Sequence, residues 1–139
     1  MRIAMKSFET KIRVEYHHTD QMGIVHHSNY VKFFEVARTE WLRAVGLTYA
    51  EMERRGVMMP IVEVQVKYRM PAYYDELITV KAMVEERPMA RMTFKYEIRG
   101  EDGRDIASGL TTLGFIDKIT RRPQRAPEWL MEVIDREFN

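Results

Sequence analysis

The 139 residues carry 22 Lys and Arg against 21 Asp and Glu, a net charge of +1, with 45% apolar and 31% charged residues. That length suits one domain with a modest core, and the interleaved charges argue against a polyanion-binding surface, so no nucleic-acid partner is expected. With no cysteine, disulfides, thiolate metal sites and a cysteine nucleophile are excluded. The opening MRIAMKSFETK lacks the apolar run of a signal peptide, and no stretch approaches the roughly 20 apolar residues of a membrane span, so a cytoplasmic protein without membrane insertion is expected.

Residues 8–16, FETKIRVEY, alternate apolar and charged, which predicts a half-buried strand with Phe8, Thr10, Ile12, Val14 and Tyr16 on the inner face. After the segment TDQMGIVHHSNY, the spacing of Tyr30, Phe33, Phe34, Ala37, Trp41, Ala44 and Val45 predicts a long helix. Ser28 or Asn29 is placed to cap its start and Gly46 to close it. A shorter helix is expected over about 48–55, ending at Gly56. Strands then follow at about 62–70, 77–85 and 91–99, each alternating with period two. The hairpin signal GEDG leads into DIASGLTTLGFID, which is apolar or small on both faces and reads as a central strand. A basic loop, KITRRPQR, precedes a short helix opening at Pro127. One helix against four consecutive, mostly antiparallel strands gives an α+β domain of about five strands over residues 1–139, with an exposed sheet edge that favours association into dimers or larger.

The segment between first strand and long helix holds Asp20, Gly23, His26 and His27. Asp20 reads either as a solvated turn-former or as a carboxylate beside the positive end of a helix. In the second reading an unpaired amide at the helix start polarises a carbonyl while the carboxylate attacks it or activates water. His17, His18, His26 and His27 do not suggest a metal: neighbours on extended chain point opposite ways, and no triplet at helical spacing accompanies them. Glu35 lies on the polar face of the long helix, as a solvated acid or, if that face lines a pocket, a substrate contact. Tyr30 and the other helix aromatics read first as core.

The run Y-H-H-T-D-Q-M-G-I-V-H-H-S-N-Y into F-F-E-V-A-R-T-E-W-L resembles the signature of hotdog-fold acyl-CoA thioesterases, in the branch of 4-hydroxybenzoyl-CoA thioesterase and the Tol-Pal-associated short-chain enzymes. The later P-A-Y-Y-D-E-L-I-T-V resembles that family's turn into its third strand, and the order of elements matches over about residues 6–134. The resemblance implies a long helix wrapped by an antiparallel sheet, paired into a homodimer with continuous sheet and two sites at the interface, and dimers that often pair into a homotetramer. It implies Asp20 as catalytic carboxylate and His27 as the residue whose backbone N–H polarises the thioester carbonyl, with its side chain as auxiliary. Gly23, Val25, His26, Tyr30 and Glu35 fall along the implied substrate path. Histidine at position 27 resembles the acyl branch more than the hydroxybenzoyl one. The hydroxybenzoyl enzyme's basic triplet for the CoA nucleotide is not matched: E-E-R-P-M-A-R offers only Arg87 and Arg91, with Arg121 and Arg122 as an alternative phosphate site.

A thioester is already reactive, so this chemistry needs no metal and no organic cofactor. The implied substrate is a short-chain or aromatic acyl-CoA, with an acyl-carrier-protein thioester as a variant. The competing expectations are a hotdog hydratase or dehydratase, built on His27 and Glu35, and a non-catalytic acyl-binding module that keeps the fold alone.

Overall fold

The computed structural model describes residues 2–138, with side chains described for residues 7–136. Among the described residues seven strands and three helices follow in the order β1 (Arg2–Arg13), α1 (Asn29–Ala44), α2 (Tyr49–Arg54), β2 (Val57–Met58), β3 (Ile61–Tyr68), β4 (Leu77–Glu86), β5 (Arg91–Arg99), β6 (Asp105–Asp117), β7 (Pro123–Gln124) and α3 (Glu128–Phe138). A single 3-10 turn, Tyr16–His18, lies between β1 and α1. All strand pairs are antiparallel, in the order β1-β4-β5-β6, with β3 on the far flank of β6 and the two-residue strands β2 and β7 beside the end of β6.

Registers follow the sequence pattern. Val80 faces Ile98 across β4–β5, and Ile98 faces Ala107 across β5–β6, so one sheet face collects Ile78, Val80, Ala82, Val84, Met92, Phe94, Tyr96 and Leu113. Against that face α1 buries Phe33, Phe34, Ala37, Trp41 and Leu42. Burial of each large side chain stabilises by about 1.5–3 kcal/mol, which is why a helix of modest propensity is held firmly here. Phe34 stacks on Tyr96 with centroids 4.3 Å apart, over Gly109 of β6. The Gly46 N–H donates to Arg43 O and the Leu47 N–H to Leu42 O, so α1 ends in the left-handed glycine closure that its sequence forecasts.

The expected first strand is shifted. It begins earlier and ends at Arg13, because Val14 leaves β1 to exchange bonds with the turn at 75–76: Val14 N–H donates to Glu76 O, and Asp75 N–H to Val14 O. Tyr16, expected inside, stands 79% exposed on the 3-10 turn. Arg38, on the helix flank that faces the sheet, is buried. Its Nε donates to Tyr49 Oη at 2.5 Å, and its Nη1 to Tyr96 Oη and Thr111 Oγ1 at 3.2 and 3.4 Å.

Candidate active site

Residues 19–28 form a small, tightly strung loop. Asp20 N–H donates to Ile24 O and Gly23 N–H to Asp20 O, with Gly23 at φ 78°, where a side chain is strained. Thr19 bridges Val25, and Ile24 bridges Tyr73. Val25 N–H donates to Ala72 O and Tyr74 N–H to Gly23 O, so the turn at 71–76 is the scaffold on which the loop rests. That turn is itself pinned: both carboxylate oxygens of Glu76 accept from Arg104 Nη2 at 2.7 Å, and Oε1 also accepts the Tyr73 N–H. A rigid support of this kind is what holds a reacting group to a fixed geometry.

The loop presents Asp20 with one oxygen engaged, since Oδ1 accepts the Met22 N–H at 2.8 Å. His26 N–H donates to His18 O, Asn29 N–H to His26 O, and Tyr30 N–H to His27 O. The backbone N–H of His27, just ahead of α1, donates to no acceptor among the described residues. It carries the partial positive charge of a helix start without an internal partner. Ser28 occupies the cap position but does not cap. Its hydroxyl contacts His26 Nδ1 at 2.9 Å, and Asn29 reaches back to His18 O.

Asp20, Val25, His26, His27 and Tyr30 line one cleft of about 390 Å³ together with Ile24, Tyr68, Arg69, Met70 and Pro71. Gly23 shapes the loop from behind and does not line this cleft, nor does Glu35, which is exposed on α1. The end of β3 was missed by sequence reading. Tyr68 closes the cleft, its hydroxyl donating to His27 O at 3.2 Å and its ring edge-on to Tyr30 at 5.1 Å. The available signal was Pro71, which stops the strand beside the turn that pairs with the loop. Burial raises the Tyr30 hydroxyl above the ordinary tyrosine range, so it stays protonated near neutrality. Of the basic residues considered for phosphates, Arg87 is engaged by Asp135 through two bonds at 2.8 and 2.7 Å.

The extended-chain argument against a metal does not hold at positions 15–18. The 3-10 turn sets the rings of His17 and His18 at 4.1 Å, and Glu15 joins them, its Oε2 lying 2.6 Å from His17 Nε2.

The family model described as the thioesterase-like superfamily matches residues 14–134. The chain belongs to that superfamily. YneP of Bacillus subtilis (strain 168), provisionally named an acyl-CoA thioesterase, is 32% identical over 86% of this chain and 89% of its own. The acyl-CoA thioester hydrolase YbgC of Escherichia coli O6:H1 is 25% identical over 87% and 90%. A crystal structure of the DHNA-CoA thioesterase from Staphylococcus aureus superimposes with a TM-score of 0.86 at 35% identity, covering 94% of this chain and 90% of that one. The fold is the hotdog, and membership in this superfamily makes the chain a thioester hydrolase.

Proposed function

We propose that the protein hydrolyses an acyl-CoA thioester to free acid and CoA at the cleft of Asp20 and His27. The reading is carried by one observation: Asp20 and the residue with an unpartnered backbone N–H at the start of α1 line the same cleft. The His27 N–H polarises the thioester carbonyl and stabilises the oxyanion as the carbonyl carbon becomes tetrahedral. Asp20 supplies the carboxylate, which attacks that carbon or takes a proton from the attacking water; collapse expels the CoA thiolate. The His27 ring, tilted against that of His26 with centroids 4.2 Å apart, is the auxiliary group. No metal or organic cofactor takes part.

For the acyl group, an aromatic ring is favoured over a short aliphatic chain. Tyr30, Tyr68 and Pro71 give the cleft flat walls, and the Staphylococcus aureus relative is a DHNA-CoA thioesterase. The homodimer is part of the proposal, because β3 pairs only with β6 among the described strands and leaves Ile61, Val62, Val64 and Tyr68 exposed along its length. Glu35 and a partner's β3 would then complete the acyl pocket.

Thiol release from hydroxylated bicyclic aromatic, 4-hydroxybenzoyl, short and long aliphatic acyl-CoAs tests the reading, with Asp20→Asn in parallel. A loss of about a hundredfold or more in the variant, on a substrate the wild type cleaves well, supports the assignment. A variant that matches wild type removes Asp20 from the chemistry. Cleavage only of aliphatic substrates overturns the aromatic reading.

A further inference from the structure

We propose that Glu15, His17 and His18 form a binding site for a divalent transition-metal ion of the zinc class, separate from the Asp20 cleft and independent of the thioesterase reading. One carboxylate oxygen and one ring nitrogen from each histidine lie within 4.8 Å of one another. None of the three lines the cleft. Donors around a four-coordinate zinc sit about 3.3 Å apart, as its bond lengths of about 2.0–2.1 Å require, so the set has to close by no more than about 1.5 Å. Two imidazoles and one carboxylate suit zinc, nickel and copper better than magnesium or calcium, which prefer oxygen ligands. Three protein donors leave a position for water.

The neighbouring pair His26 and His27 differs in a useful way. Their rings are as close, at 4.2 Å, yet no acidic or further histidine donor converges on them within the same limit among the described residues. The tight turn, with Glu15 at its start and histidines at its second and third positions, is what separates a ligand set from a mere pair.

Occupancy has a structural consequence. The Glu15 N–H donates to His18 Nδ1 at 2.9 Å. A metal at Nδ1 displaces that bond directly; a metal at Nε2 requires the ring proton on Nδ1, which can then no longer accept. Either way the backbone bond at Glu15 is exchanged for the metal. The carbonyl of His18 accepts from His26 N–H and from Asn29 Nδ2, so the ion sits on the turn that braces the Asp20 loop. Its role is to lock that turn.

Equilibrium dialysis of the full chain against zinc(II) alone tests this, with Glu15→Gln, His17→Gln and His26→Gln alongside. His17 is 69% exposed, so its replacement leaves the fold intact. One equivalent should bind to the wild type and to His26→Gln, weakened about tenfold or more in Glu15→Gln and His17→Gln. In amide NMR spectra, zinc should move the Glu15 N–H signal in the wild type and not in His17→Gln. The proposal is overturned by a wild type that takes up no zinc, by uptake equal in all four proteins, or by uptake lost in His26→Gln.

Discussion

The side-chain amide of Asn29 donates to the carbonyl of His18 at 2.8 Å, eleven residues back along the chain. The first residue of α1 is thereby tied to the turn that launches the Asp20 loop, and the bond closes the base of the site. It explains why Asn29 is only 5% exposed in the first turn of a helix, where a polar side chain usually faces water. The two ends of the loop thus cannot drift apart without breaking a bond that water does not readily replace.

Removing that strut should loosen the loop more than it destabilises the fold. Asn29→Ala deletes that bond and a long one to His26 O at 3.4 Å, and His18 O keeps its bond from His26, so about 1 kcal/mol of stability should be lost. Loosening the carboxylate against the amide should lower kcat by about tenfold or more with KM little changed. Asn29→Asp discriminates between causes. A carboxylate in the first turn favours a helix, but it cannot donate to His18 O. A thermal melt and thiol-release kinetics on both variants decide: if Asn29→Asp keeps full activity, the strut has no catalytic role.

Gly109 is required by contact. A Cβ there would meet the backbone carbonyl of Gln65 and come within 2.7 Å of Phe34 Cε2. The first obstacle is backbone in β3, and the second is a ring already stacked on Tyr96. Neither yields cheaply, so Gly109→Ala should lose about 3 kcal/mol or more, read as a shift of the urea midpoint at unchanged slope. A variant as stable as wild type would mean that β3 or α1 can slide.

Arg38 makes a buried guanidinium serve as a hydrogen-bond hub for Tyr49, Tyr96 and Thr111, with no carboxylate within ion-pair distance among the described residues. Burial raises the Tyr96 hydroxyl above its usual range, and that of Tyr49 likewise, so both remain neutral acceptors. Arg38→Ala leaves these hydroxyls short of a donor beside a cavity and should cost about 2–4 kcal/mol. Arg38→Met fills the space without a charge to desolvate and should lie within about 1.5 kcal/mol of wild type. Equal losses in both would mean that the charge itself is needed.

The strands and α1 were legible because period-two and helical spacing report burial directly, and the central place of β6 was legible because both its faces are apolar or small. The 3-10 turn was not. Tyr16 continues the alternation of β1, and nothing in the pattern says that Val14 turns away to bond Asp75 and Glu76, sixty residues on. Strands β2 and β7 are two residues long, too short to show a period. Burial of Arg38 leaves no mark in the spacing, because its partners are hydroxyls contributed by three other elements. Within the site, Asp20 and His27 stood out by their setting between strand and helix, whereas Tyr68 reaches the cleft only because the sheet brings the end of β3 beside the loop.

Stability should fall in mild acid through His18. Burial, followed by the charge of His17 and of Lys32, lowers its pKa, while Glu15 opposes them. The folded value lies below the unfolded one, about 6.5, so the unfolded chain binds the extra proton first. The contribution is present above pH 6.5 and is lost as the pH drops toward the folded value. The melting temperature should therefore fall more steeply between pH 7 and pH 5 in wild type than in His18→Asn. Parallel curves would assign the acid sensitivity to other groups.

The exposed edge of β3 bears on assembly and on catalysis together. Val64 is 39% exposed although it sits on the face that elsewhere in the sheet is buried, opposite Thr111 of β6. A second β3 along the free edge would supply the missing hydrogen bonds and cover Val62, Val64 and Tyr68. Val64→Lys places a charge in that contact while leaving the monomer's own core untouched. The wild type should sediment as a dimer or larger species at micromolar concentration, and the variant as a monomer with unchanged far-UV circular dichroism. Because Tyr68 belongs both to this edge and to the cleft, activity should fall with dissociation. A folded monomeric variant with full activity would separate the site from the interface, and a monomeric wild type would remove the interface altogether.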